Sequence, residues 1–314
     1  MAEAKPVAAA TAVHRAEYYA LRSVVGSLHA MPWAAAGAFG ARLGLLGFRP
    51  FQVRRQVVER QIEAAFPERS AEEVAAIVRA AYAHLGRSTI ETALLPSIGQ
   101  SGVLGLVESV DGFELIDAAM AAGKGAILIT GHLGNWELAG AYVAARGVPM
   151  DVIVRTQANP LFDTYLNQTR ATLGMTVVRD RDAVRRTPRS FREGRAVAFV
   201  ADQGVLGLAS TFVPFFGRPA KTPRGAAVFA MRYRIPTLFV AALRQPSGRY
   251  RVSVEQIPVI DTGDRDADVD AIVANYTAVL ERWVRTAPEQ YFWHHRRWRR
   301  QPPDTSPELR DPTL

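Results

Sequence analysis

Residues 126–142 read AILITGHLGNWELAGAY, and the fold is decided by how this stretch is divided. His132 and Glu137 stand five positions apart. On one straight helix their side chains would point roughly 140° apart, because each residue turns the chain by about 100°. On one strand they would lie on opposite faces. They meet only if the backbone changes form between them, and Gly131 and Gly134 permit that change. The stretch therefore reads as a buried strand ending at Ile127–Thr130, a turn over Gly131–Asn135, and a helix from Trp136 with Asn135 as its N-cap. A histidine in such a turn and a carboxylate in the first helical turn can serve acid–base chemistry. They can equally be a capping histidine and a glutamate complementing a helix dipole.

Around this centre, 314 residues suffice for one large core with an appended N-terminal part. The chain has no cysteine, which excludes disulfides, a thiol nucleophile and thiolate metal sites. A net charge of +8, carried almost entirely by arginine, favours an acidic partner: nucleic acid, anionic lipid or an acidic carrier protein.

Residues 1–14 carry no pattern and read as a frayed end. From Ser23 to Ala41 no side chain is formally charged, and Leu43–Phe48 extends the apolar character, a length near that of a membrane span. Pro32, His29 and several glycines argue against a clean spanning helix. Two readings stand level: a core helix pair, or a segment dipping into a bilayer surface. Arg54–Phe66 has helical spacing, with Val53, Val57, Val58, Ile62 and Phe66 on one side. Ser70–Glu73 is a capping box opening a helix towards Leu94. Beyond it, strand signals at 107, 127–130, 150–154, 175–178, 196–201, 237–243 and 250–256 alternate with helical stretches, among them 161–173, 183–192 and 268–285. Such alternation predicts an α/β fold, a mixed central sheet flanked by helices. The expected division is 1–50 as tail and apolar helices, 51–300 as the main domain, and 301–314 as a disordered or extended tail.

Four further blocks carry chemistry-bearing residues. Val154–Pro160 holds Arg155 and Asn159 just past a strand, where an arginine suits a phosphate or a developing oxyanion, or a surface ion pair. Ala201–Gly204 places Asp202 and Gln203 at another strand end, where open α/β sheets site their ligands; a turn or cap explains Asp202 as well. Phe212–Gly217, followed by Lys221 and Thr222, reads as core or as the lining of an apolar groove. Pro288–Arg300 interleaves Arg296, Arg297, Arg299 and Arg300 with aromatics, a composition that suits RNA or an anionic lipid surface. No HExxH, GxSxG, Walker A or GxGxxG pattern is present, so zinc, serine-hydrolase and nucleotide chemistry lack support.

Taken in order, GHLGNWE, VRTQANPLFD, FVADQG, FVPFFG with KTPRG, and PEQYFWHHRRW resemble the bacterial lipid A late-acyltransferase family, whose mycobacterial relatives acylate phosphatidylinositol mannoside. The resemblance covers residues 20–300. It implies a glycerolipid-acyltransferase-like fold with an N-terminal membrane-associating segment, at the cytoplasmic face of the inner membrane. It also implies an acyl thioester donor on acyl carrier protein or coenzyme A, a hydroxyl acceptor on a lipid A precursor or a related glycolipid, and no cofactor, metal or nucleic acid. On the family pattern His132 and Glu137 form a catalytic dyad. Arg155, Asn159, Asp202, Gln203, Lys221, Arg296 and Arg297 are expected to bind substrate. Glu137 is expected to hold the far ring nitrogen of His132, with Arg155 or the N–H groups at Gly134–Asn135 meeting the oxyanion.

Overall fold

In the computed structural model, which describes residues 10–204 and 207–314, seven strands form a sheet in the order β1-β9-β8-β2-β5-β3-β4. Their ranges are β1 Val107–Asp111, β2 Ala126–Thr130, β3 Met150–Val154, β4 Met175–Arg179, β5 Ala196–Val200, β8 Thr237–Arg244 and β9 Tyr250–Gln256. The five from β8 to β4 run parallel; β9 is antiparallel to β8, and β1 follows β9. β6 Ser210–Phe215 and β7 Arg218–Pro223 form a separate hairpin.

Strand β2 is covered on both faces, so its alternate residues enter different cores. Ile127 and Ile129 join the cluster containing Phe239, Trp293 and Trp298, while Ala126 and Leu128 join the one containing Tyr142, Val240 and Tyr250. Helix α6 Trp136–Ala145 follows β2 directly, and its N-cap Asn135 accepts from the Leu138 N–H, as the sequence pattern requires. Helices α5 Glu114–Ala121, α7 Pro160–Thr172 and α8 Ala183–Arg192 make the other connections early in the sheet, and α10 Arg265–Thr286 follows β9. The sequence expectation misses the hairpin and α9 Gly225–Tyr233. Pro214, Pro219 and Pro223 in the first and the short length of the second hide the usual signals.

The expected frayed end falls partly on residues 1–9, outside the described residues; from Thr11 onward the chain is already capped, and α1 runs Ala12–Leu28. The uncharged stretch is broken at His29–Pro32, and α2 Trp33–Phe48 follows. Among the described residues no helix is long and apolar enough to cross a membrane. Helix α2 lies against α4 Ala71–Leu106 so closely that a Cβ on Gly44 would come within 2.0 Å of the Tyr82 carbonyl oxygen. One side of the α2 segment is therefore core. Helix α3 Arg55–Ala65 begins one residue late, and Val53 stands outside it, 52% exposed. Beyond Arg300 the chain runs through successive turns, one of them a 3-10 turn at Pro307–Leu309, and Asp311 is buried against Arg296.

Candidate active site

Because β2, β5 and β3 are parallel neighbours, their carboxyl ends come to one edge of the sheet. That edge collects His132, Asp202 and Arg155 from positions far apart in the chain. The β2–α6 turn needs Gly134, which has φ +60 with the Ala242 carbonyl oxygen where its Cβ would go; a Cβ on Gly131 would meet only the end of the Leu280 side chain, at 2.7 Å.

Within the turn, His132 Nδ1 lies 2.6 Å from Asp202 Oδ1, and the His132 backbone N–H donates to Asp202 Oδ2 at 3.1 Å. The Gln203 amide lies 3.2 Å from the same ring nitrogen. Trp136 packs edge-on to the imidazole at 4.8 Å between ring centres, with Phe292 at 6.0 Å on another side. The His132 side chain remains 22% exposed while that of Asp202 is 2% exposed. Burial works against the charged form of Asp202. The His132 ring, hydrogen-bonded to it, and the Arg297 guanidinium outweigh this and hold its carboxyl well below the usual range. The Tyr291 phenol, buried and facing the same carboxylate, is pushed far above its ordinary value.

This geometry corrects the expected partner of the imidazole. No hydrogen bond joins His132 to Glu137. Glu137 instead takes a two-pronged ion pair from Arg170 on α7, with Arg170 Nε donating to Oε2 at 3.0 Å and Nη2 to Oε1. Both side chains are about seven-eighths buried. Arg170 continues to Asn167 Oδ1 at 3.2 Å, Asn167 to Asp163, and Asp163 to Arg179 and the Gln157 N–H. The chain of contacts thus reaches the loop after β3. Nothing in the sequence marks Arg170: it is one arginine among many, 33 residues from the carboxylate it meets.

The N–H groups proposed for the oxyanion are also committed elsewhere. Gly134 N–H donates to the Gln290 carbonyl at 2.9 Å and Asn135 N–H to that of Ala242 at 3.0 Å. Arg155, exposed just past the end of β3, forms no ion pair among the described residues. Asn159 is a cap for α7, and its amide donates to the His14 carbonyl and to Glu17, tying α1 to the body.

The tryptophans and Arg297 of the basic aromatic block are internal, and of its four arginines only Arg299 is exposed, which corrects its reading as a lipid or RNA strip. Trp293 and Trp298 are fully buried. Its backbone clamps the β2–α6 turn: Phe292 N–H donates to the His132 carbonyl at 2.9 Å, and Tyr291 bridges to Leu133. Arg297 is 3% exposed and donates to the Lys221 carbonyl and the Thr222 hydroxyl, each at 2.7 Å, behind Asp202. Arg296 pairs with Asp311. Lys221 lies half-buried against Gly204, next to Gln203, its side chain in no ion pair among the described residues. Phe215 and Phe216 are core; Phe212 alone of that aromatic run points outward. Bulky aromatics among charges gave no cue that they would be packed inward.

The family model of bacterial lipid A biosynthesis acyltransferases matches residues 10–300. The lipid A biosynthesis palmitoleoyltransferase of Escherichia coli (strain K12) is 27% identical over 275 residues, covering 87% of each chain. The lauroyltransferase of the same organism is 26% identical, covering 87% of this chain and 88% of the relative. A phosphatidylinositol mannoside acyltransferase of Mycobacterium tuberculosis is 31% identical over 152 residues, covering 46% of this chain and 48% of that protein.

Proposed function

The chain belongs to the bacterial lipid A biosynthesis acyltransferase family, enzymes that transfer acyl groups, and from that premise we propose that it carries a fatty acyl group from a thioester to a hydroxyl of a lipid A precursor, with His132 as general base. The observation that carries this reading is the imidazole itself, tied through Nδ1 to a buried carboxylate while its side chain stays 22% exposed. With the Nδ1 proton engaged by Asp202, Nε2 is the basic nitrogen.

In the proposed step, Nε2 takes the proton of the acceptor hydroxyl as its oxygen attacks the thioester carbonyl. Asp202 holds the tautomer and stabilises the imidazolium that forms, as an anion already paid for by Arg297 and the ring. Arg155 neutralises the oxyanion of the tetrahedral intermediate. The intermediate then expels the thiolate, which takes the proton back from the imidazolium and leaves as free thiol. No residue of the protein is acylated. Glu137 acts at one remove, holding Arg170 and so the frame that carries the Arg155 loop. Gln203 and Lys221, beside the same edge, are the remaining groups suited to contact the substrate.

The acceptor and donor are tested together. Purified protein is incubated with acyl carrier protein and coenzyme A thioesters and with a panel of acceptors, and products are identified by mass. A lipid A precursor acylated by one of these donors supports the reading; hydrolysis alone, or no turnover, overturns it. The net charge of +8 suits an acidic carrier protein as donor and equally an anionic lipid surface. A second acceptor class, glycolipids of the phosphatidylinositol mannoside type, is favoured by the 31% identity to the mycobacterial enzyme and belongs in the panel, with lysophospholipids beside it. Since the acceptors are lipids, the proposed place of action is the cytoplasmic face of the inner membrane.

A further inference from the structure

An exposed edge of the molecule is apolar, ringed by arginine and built with care. Leu43 and Leu46 on α2 are exposed, and the loop after it lifts Phe51 to 71% exposure beside Val53. This loop is fastened from behind. Phe51 N–H donates to the Leu46 carbonyl at 3.1 Å, Val53 N–H to that of Gly47 at 2.7 Å, and the buried Tyr82 hydroxyl to the Val53 carbonyl. Gln52 and Arg54 have φ of 49 and 55, a left-handed backbone that disfavours residues with a Cβ. Strain is thus accepted at both neighbours of Val53 in a conformation that turns two apolar side chains to the outside.

Arg42, Arg49, Arg54 and Arg79 are exposed around the edge, and none forms an ion pair among the described residues. A cavity of about 410 Å³ opens between them, lined by Leu45, Phe48, Arg49 and Arg79. An apolar tip beside a recess with two guanidinium groups matches acyl chains below phosphates.

The edge is linked to the candidate active site by a run of neighbouring rings. Phe48 meets Tyr82 at 5.6 Å, Tyr82 meets His294 at 4.5 Å, His294 meets Phe292 at 5.6 Å, and Phe292 meets His132 at 6.0 Å. The charge of Arg54 is felt at both His294 and His295.

We propose that Leu43, Leu46, Phe51 and Val53, with Arg42, Arg49, Arg54 and Arg79 around them, form the surface that seats this protein in the headgroup layer of an anionic lipid bilayer. The proposal rests on the reading that the acceptor is a lipid. It narrows the N-terminal bilayer reading to one edge, α2 with the loop after it and Arg79 on α4, away from the basic aromatic block.

The test is co-sedimentation of the full chain with vesicles of phosphatidylcholine alone or with phosphatidylglycerol added, at low and high salt. Transfer to a detergent-dispersed acceptor is measured in parallel. Wild-type protein should sediment with the anionic vesicles and release as salt rises. Phe51→Ser with Val53→Ser should weaken binding by about tenfold or more, the loss of two inserted apolar side chains. Arg42→Gln with Arg79→Gln should weaken binding to anionic vesicles only and flatten the salt dependence. Detergent-phase transfer should stay unchanged in all of these variants. Undiminished binding by the Phe51/Val53 variant overturns the proposal, as does equal wild-type binding to both vesicle types. A change in oligomeric state with vesicle binding intact overturns it in favour of an interface between copies of the chain. If no acceptor is acylated but the vesicle results hold, the catalytic reading falls and the lipid-facing edge stands.

Discussion

Two buried carboxylates flank the same turn and do different work. Asp202 meets His132 with both oxygens, and the His132 side chain stays partly exposed. Glu137 meets Arg170 with both oxygens, and that pair leads away through Asn167 and Asp163 into the body of the protein. One pair ends on a group able to move a proton; the other ends on groups that hold shape. The lesson is that nearness in sequence misassigns the partner. Five residues of turn and helix point Glu137 along α6, whereas a parallel sheet sets the end of β5 beside the end of β2.

The comparison breaks most sharply at the imidazole. His132→Ala should lower the rate of acyl transfer by about 10²- to 10⁴-fold, the range for loss of a general base. Circular dichroism should be near wild type, with melting lowered because buried Asp202 loses a hydrogen-bond partner. Transfer at a near-normal rate would remove His132 from the chemistry. Asp202→Asn should cost about 10-fold to 10²-fold, the range for a group that orients another, and should alter the pH dependence of the rate, because the amide no longer stabilises the imidazolium. A variant with a normal rate and pH profile would leave Asp202 a mere cap.

The other carboxylate should answer in stability first. Glu137→Gln leaves Arg170 buried without its anion and should destabilise the fold by about 3 kcal/mol, read from denaturant melting. Glu137→Met with Arg170→Met should recover much of that loss, because the buried charge is then gone as well. If Glu137→Gln instead abolished transfer in a fold of unchanged stability, the sequence assignment of the dyad would be restored and the distinction drawn here would fail.

A smaller effect separates the two sides of the turn by pH. His84 on α4 lies beneath it, 3.2 Å from the Gly134 carbonyl, and burial lowers its pKa to about 4. His294 and His295 are likewise lowered to about 4 by burial. A histidine whose folded pKa lies below its unfolded value near 6.5 stabilises the fold above pH 6.5, and that contribution is lost as pH falls towards 4. At pH 5 the loss is about 2 kcal/mol for each such ring. His84→Gln should flatten part of the acid limb of a melting-temperature curve. An unchanged limb would place the pH sensitivity on carboxylates instead.

Much of this was legible beforehand. The period of apolar residues and the glycine punctuation located the strands of the main sheet, and Asn135 and Ser70 were recognisable as caps because capping is a local event. His132, Asp202 and Arg155 were identifiable as strand-end residues. What escaped was pairing across the chain. Asn159 proved to be a cap that also grips α1, and Arg297 a buried prop behind Asp202. In composition, a buried arginine donating to backbone carbonyls looks the same as one offered to a phosphate. The fully buried Trp293 and Trp298 gave the same false impression of an interface, since burial depends on what the hairpin and α3 place over them.

By itself, then, the amino-acid order determined the α/β alternation, the strand–turn–helix around His132 and the family to which its five blocks belong. Each is set by residues within a few positions of one another. Only the tertiary structure decided which carboxylate holds the imidazole, which arginines are spent inside the fold, and which apolar residues are left outside. Those choices depend on strand order and close packing, where the sheet joins positions 132 and 202 at 2.6 Å and turns 137 towards 170.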